Sequence, residues 1–395
     1  MATKTSGSMR KHPVAAAMKK SGDRETVRSV VTIGGAMIDT IALISNDLIE
    51  RMVMNNAGQA FLLIEEGRKT EADLISTHPG GGAINSAVCF ARLGFAVDTL
   101  VKLGCDDRAE SIMKSLAAEG VSGRLVVHTA ESHTGASVLI SAHERDAAIF
   151  TFRGANSLLT SSDLPKEGFA QHIVYITGLS DSSADVFPEI VELASSHGAF
   201  VVANPGIRQI TARGDAFQKA LSQIALLSMN RDEAAALMPR LVRQPERHTP
   251  TVLRKLPEDK RQDMILMRRG LVSGGFEMSL PQFFDAVLGL GPQCIIVTDG
   301  TRGAYVAVAD EIAFCPSCET KAVGTAGAGD AFTSTFAAFY ANGEPPSEAL
   351  RYASINASSV VGFADTQSGL LSHAALTEAC ALHGAKLNVW TSRDA

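Results

Sequence analysis

Five short apolar runs, each stopped by a glycine or a polar residue, constrain this chain more than any other feature. They are Val30–Ile33 before Gly34 and Gly35, Ile173–Ile176 before Thr177 and Gly178, and Phe200–Val202 before Ala203 and Asn204. Ile224–Leu227 leads to Asn230, and Cys294–Val297 leads to Thr298, Asp299 and Gly300. A run with no polar face must be covered on both sides, which suits central strands of a parallel sheet between two helical layers. Helical spacing fills the gaps between the runs. Ile84, Ala87, Val88 and Ala91 stop at Gly94, and Ile112, Met113, Leu116 and Ala117 stop at Gly120. Ala349 to Val361 follows Pro345-Pro346 in the same way. The alternation predicts an α/β fold with a doubly wound, mostly parallel sheet. Ligands of such sheets sit beyond the carboxyl ends of the strands, so the polar residues closing the runs should converge on one cleft.

Two segments break the alternation. Residues 43–79 separate the first run from the Pro79-Gly80-Gly81-Gly82 turn, and with residues 123–153 they are expected to form a small β-sheet lid. Residues 239–263 are rich in Arg and Lys and interrupted by Pro239, Pro245, Pro250 and Pro257; they read as a surface insertion. The start, residues 1–28, has no signal-peptide core and is expected to be a disordered extension, a transit peptide being the other reading. The main domain is then 29–388.

Composition excludes some partners. With 36 basic and 42 acidic residues the net charge is −6, which argues against nucleic acid or an anionic membrane surface. No apolar run approaches the roughly 18 residues of a membrane span. The six scattered cysteines, without a signal peptide, suggest free thiols and a reducing cytoplasm. Cys315 and Cys318 form a CxxC with no second ligand pair for zinc, and are expected to be two inert thiols.

The chemistry is concentrated in Gly324-Thr325-Ala326-Gly327-Ala328-Gly329-Asp330, followed by a helix-periodic run with Phe332, Phe336, Phe339 and Tyr340. Small residues let backbone N–H groups crowd a ligand, and a helix starting there adds unpaired N–H groups and a positive dipole end. That makes an anion site, most often for phosphate. A carboxylate at its mouth would repel phosphate, but it can take the proton of a hydroxyl that attacks phosphate. A second cluster, Gly80-Gly81-Gly82-Ala83-Ile84-Asn85, opens another helix.

Asp39, the second cluster and the Gly324–Asp330 loop together resemble the ribokinase (PfkB) family of small-molecule kinases over roughly residues 29–375. Ala91-Arg92-Leu93-Gly94, the NxxE of Asn230 to Glu233, and Thr298-Asp299-Gly300-Thr301-Arg302-Gly303 extend the match, as do Gly135 and the Gly154-Ala155-Asn156 turn. The resemblance implies Asp330 as base, with the amides of Ala326, Gly327, Ala328 and Gly329 holding the γ-phosphate of ATP. It places Asp39, Gly81, Gly82 and Asn85 on the acceptor, and Asn230, Thr298, Gly300, Gly303 and Asn356 around the nucleotide. Glu233 would organise Mg²⁺ through water. Arg145 reads as a hairpin position, and His78 and His133 are given no catalytic role.

The expected activity is ATP-dependent phosphorylation of a primary hydroxyl of a small sugar. A nucleoside kinase, with Phe61, Leu62 and Leu63 lining a base slot, is the close alternative, and a catalytically silent sensor is a second one. A homodimer through the lid is expected. Two departures stand out. Many members have an acid at Gly324 that helps hold a monovalent cation, so weak or absent K⁺ activation is expected. Ala109 replaces the last glycine of a GxDxxG pattern that begins at Gly104.

Overall fold

A computed structural model describes residues 28–45, 48–54, 59–67, 69–142, 148–241, 264–309, 311–384, 387 and 389–392. The N-terminal extension before Arg28, Arg145 and most of the 239–263 insertion lie outside them.

Each of the five apolar runs contributes a strand to one large sheet, the run Ile224–Leu227 entering its strand at Leu226. Its strands are β1 (Ser29–Ile33), β6 (Ala96–Leu100), β11 (Ile173–Ile176), β12 (Phe200–Ala203), β13 (Leu226–Asn230), β16 (Cys294–Thr298), β17 (Ala304–Val308), β18 (Glu311–Cys315) and β19 (Trp390–Thr391). They lie in the order β19-β18-β17-β16-β13-β12-β11-β1-β6. From β6 to β16 all neighbours are parallel, and β17 to β19 add an antiparallel edge. Alternate residues of each parallel strand enter two separate cores. Val30, Tyr175, Val202 and Ile296 pack on the side of helices Gly82–Arg92, Ala328–Ala341 and Pro346–Val361. Val31, Val174, Val201 and Ile295 pack with Phe187, Phe217 and Phe283 from the other helical layer. The sheet is therefore doubly wound, because strands apolar on both faces must be covered on both faces.

A separate four-stranded sheet has the order β10-β9-β2-β5, with β2 (Met37–Ile44), β5 (Leu74–Gly80), β9 (Gly135–Ala142) and β10 (Ala148–Phe152). It is the expected lid with corrected limits. Its first strand begins at Met37 rather than residue 43, so Asp39 belongs to the lid and not to β1. Residues 127–129 leave the lid: β8 (Val127–Thr129) pairs instead with β7 (Lys102–Gly104). Strand β2 hid in the sequence because Asp39 and Thr40 interrupt its apolar residues, with only Ile38, Ile41 and Ile44 buried. Two hairpins complete the strands, β3 (Glu50–Met54) with β4 (Gln59–Leu63), and β14 (Leu271–Ser273) with β15 (Phe276–Met278).

Candidate active site

Helix Ala328–Ala341 starts at the carboxyl end of the sheet, and its start is shaped by glycine. Gly327 caps the helix with φ +79°, and a Cβ there would lie 2.7 Å from the Cβ of Thr366. A side chain is thus excluded by both backbone and neighbour. A Cβ on Gly329 would meet nothing within 4 Å, so the first turn faces open space. The first N–H groups of any helix have no intrahelical partner. Here they join small residues and space, the requirements of an anion site.

Asp330 lies in that first turn, half-buried. Its Oδ2 accepts a 2.9 Å hydrogen bond from Asn85 Nδ2, on the helix Gly82–Arg92. Asn85 is itself held, its Oδ1 accepting from Thr366 Oγ1 at 2.8 Å and Gln367 Nε2 at 3.3 Å. The helix begins at Gly82, two residues before the expected Ile84, and is capped by Gly81 with φ +96°. Asp39 comes down from the lid. Ser137 donates to its Oδ1, and a Cβ on Gly80 would sit 2.0 Å from its Oδ2, so only glycine leaves room for this carboxylate. Burial raises the Asp330 carboxyl above its ordinary value, against the Asn85 bond, and the charge of Asp39 adds to the rise. Burial raises Asp39 as well, opposed by Ser137 and His78.

Asn230 and Glu233 form a reciprocal helix cap. Asn230 N donates to Glu233 Oε2 at 2.8 Å, and Glu233 N donates to Asn230 Oδ1 at 2.9 Å. Burial, then the charges of Asp232 and Asp330, push Glu233 up to about 7, although the Asn230 amide works against them. Asn230 pairs in register with Thr298, which brings the Gly300–Gly303 turn beside it. A Cβ on Gly300 would meet nothing within 4 Å, whereas one on Gly303 would lie 2.3 Å from Cys315 O.

A cavity of about 210 Å³ joins Asp330, Glu233, Gly82, Thr177, Asn204 and Arg153. Thr177 and Asn204 close two of the apolar runs, as the convergence of run ends requires. A larger cavity, about 530 Å³, opens at the amino ends of the same strands near Ser29, His172 and Phe200. It touches neither glycine motif, so size does not locate this site.

Asn356 is the clear correction. It does not reach an adenine edge: it is fully buried, with Nδ2 donating to Thr335 Oγ1 at 2.8 Å and Oδ1 accepting from Leu371 N at 2.9 Å. Its amide is committed to joining helices. Phe61, Leu62 and Leu63 lie on β4 and do not line the Asp330 cavity. Cys315 is buried and its thiol is pushed up to about 12 by burial, and burial raises Cys318 too, which disfavours the reactive thiolates. At the altered GxDxxG, Asp106 caps the next helix by accepting from Ala109 N at 3.0 Å. The sequence reading missed two groups. Arg153 enters the cavity from the end of β10. Asp299, nearly buried, pairs with Arg231 and Arg302 and so pins the Gly300–Gly303 turn. Asp299 lies inside the Thr298–Gly303 stretch but was given no role, and Arg153 lies just before the Gly154 turn, so a charged residue beside a motif glycine was the available signal.

The chain belongs to the pfkB family of carbohydrate kinases, whose sequence profile matches residues 28–270 and 282–373. It is thus a phosphotransferase with an alcohol group as acceptor, and the silent-sensor reading falls away. It is 24% identical to the ribokinase of Bacillus subtilis (strain 168) over 295 residues, 74% of this chain and 85% of that protein. It is 24% identical to the deoxyribokinase of Salmonella typhi over 330 residues, 83% of this chain and 94% of that one. Among solved structures, Arabidopsis thaliana ribokinase complexed with ribose and ATP shares the fold, with TM-score 0.63, 20% identity, and coverage of 89% of this chain and 98% of that one. Among the described residues no helix is long and apolar enough to cross a membrane.

The raised acids have a consequence for stability. The folded protein retains protons that the unfolded chain has lost, so stability falls as pH rises from the ordinary carboxylate range through about 7, the Glu233 value. Glu233→Gln keeps an acceptor for the Asn230 amide and should remove part of this fall. From about pH 5 to about pH 7.5 the wild type should lose on the order of 1–3 kcal/mol more than the variant in urea unfolding. Superimposable pH profiles would refute the burial of Glu233.

Proposed function

We propose that this protein is an ATP-dependent kinase that phosphorylates a primary hydroxyl of a small sugar. The observation that carries the reading is the 2.9 Å contact between Asp330 and Asn85, made at a glycine-capped helix start with open space before it. It sets a carboxylate from one motif against an amide from the other, and Asp39 stands beside them. Asp330 takes the proton of the attacking hydroxyl as its oxygen bonds the γ-phosphorus and the bond to the β-phosphate oxygen breaks, leaving ADP. Phosphoryl transfer asks mainly for positioning and charge neutralisation. The amides of Ala326 to Gly329 supply both for the transferred group, and Gly300 leaves room for the nucleotide. Asp39 and Asn85 orient the other hydroxyls; Asn85 has a second N–H to offer. Closure of the lid that carries Asp39 excludes water, the competing acceptor.

Mg²⁺ fits the donor set: Glu233 and Asn230 would hold it through water, and it would neutralise phosphate charge. Glu233 lines the Asp330 cavity, and among the described residues no cation is paired with it. A monovalent cation beside the loop does not fit. Gly324 offers no carboxylate, and a Cβ there would lie 2.8 Å from Phe363 O and 3.2 Å from Ala364 O. The lid supports a homodimer. Ile75, Val138, Phe150 and Phe152 share the face away from Asp39 and are 68%, 42%, 62% and 50% exposed. Apolar groups clustered on one sheet face mark an interaction surface. The sugar reading stands ahead of the nucleoside one because Phe61, Leu62 and Leu63 are away from the cavity.

Asp330→Asn should lower kcat about 10²- to 10⁴-fold while leaving the Kd for ATP unchanged, measured by ADP release and calorimetry; retention of more than about a tenth of turnover would remove Asp330 as base. Turnover should be equal in K⁺ and Na⁺, and a strong rise with K⁺ would defeat the reading of Gly324. Light scattering should give a dimer mass that Phe150→Glu converts to monomer; a monomeric wild type rules out the lid interface.

A further inference from the structure

Arg153 is the one cation lining the Asp330 cavity among the described residues. Its backbone is firmly placed. It follows β10 and precedes the short helical turn Gly154–Ser157, whose Asn156 is clamped to Ala36 by two bonds, 2.9 Å from Ala36 N and 2.8 Å to Ala36 O. The half-buried guanidinium donates to a neutral acceptor, Ser180 Oγ, at 2.9 Å. Among the described residues no carboxylate pairs with it. The arginines on the nucleotide side differ: Arg231 and Arg302 are both engaged by Asp299. A guanidinium has five N–H donors, and Ser180 takes one. Arg153 is thus a cation placed at the cavity wall with donors to spare.

We infer that Arg153 reads a carboxylate on the acceptor, so that the substrate is a sugar acid, held by its carboxylate at Arg153 with a distant hydroxyl at Asp330. This rests on the kinase reading above. Ser180 follows β11, whereas the nucleotide-side turn follows β16, three strands along the sheet. That is about 14 Å at the usual spacing between neighbours, which puts Arg153 on the acceptor side. The fork of the guanidinium matches the two oxygens of a carboxylate. A phosphate would bring a second negative charge into a cleft already lined by Asp330 and Glu233, so a monoanion fits better. The transferred phosphoryl group still goes to a hydroxyl, and the carboxylate takes no part in the chemistry.

The test is ADP release with matched acceptors: neutral pentoses and hexoses, the corresponding aldonates and 2-keto aldonates, and the sugar monophosphates. The wild type should favour a carboxylated acceptor over its neutral parent in kcat/KM on the order of a hundredfold. Arg153→Gln should collapse that ratio towards one, and Arg153→Lys should restore part of it. Three results overturn the inference while leaving the kinase reading intact, provided Asp330→Asn still abolishes turnover. They are equal use of neutral and acidic acceptors, preference for a sugar phosphate, and an Arg153→Gln loss shared equally by all acceptors. The last would mean that Arg153 serves the transferred phosphoryl group. ADP release from none of the acceptors overturns both readings.

Discussion

The hydrogen bond from Asn85 to Asp330 joins two glycine-capped helices whose bonded residues stand 245 positions apart in the chain. Each helix packs its body into the same core, so the bond is made by the fold and not by local sequence. Its sense is set by chemistry. A carboxylate only accepts, so the amide nitrogen must face Asp330. The amide oxygen then faces Thr366 and Gln367, which donate to it. Gln367 also donates to Pro79 O at 2.9 Å, linking the amide to the chain just before the glycine turn. The segment after helix Pro346–Val361 therefore orients the group that orients the proposed base.

The second constraint is electrostatic. Asp39, Asp330 and Glu233 are all raised mainly by burial, and the first two repel each other. A cleft of this kind favours neither bare phosphate nor a dianionic acceptor. In the proposed mechanism the backbone amides of the loop, Mg²⁺ and Arg153 would supply the positive charge that such a cleft lacks. Asp39 rides on the lid and Asp330 on the large domain, so lid closure would bring their charges together. An acceptor hydroxyl set that bonds both would offset that cost.

Much of this was legible in the sequence, for definite physical reasons. Buried parallel strands must be apolar on both faces, and such runs are visible without any structure. Glycines that answer to a close contact, such as Gly80 against Asp39 and Gly327 against Thr366, are visible too, although their neighbours are not. What stayed hidden was decided by three-dimensional packing. Strand β2 carries Asp39 and Thr40 among its apolar residues, so it does not read as an unbroken apolar run. Asn356 looks like any polar residue on a late helix, and only the positions of Thr335 and Leu371 make it a buried strut. Arg153 has only its place beside the Gly154 turn to mark it, because its meaning comes from the cavity that the ends of β11 and β12 build around it.

Gly324 shows how one residue can change the means of holding a loop. A loop that presents amides to phosphate must be kept from relaxing, and an ion bridging its backbone is one way to do so. Here the backbone is pinned directly: Val323 N and Gly324 N both donate to Val361 O, at 2.9 and 3.2 Å. The missing side chain lets the Phe363 and Ala364 carbonyls approach, and Thr366 then closes over Gly327. The same short stretch that orders Asn85 thus buttresses the proposed anion loop. A side chain at position 324 would need to push those carbonyls away, so the glycine and the packing around it belong together.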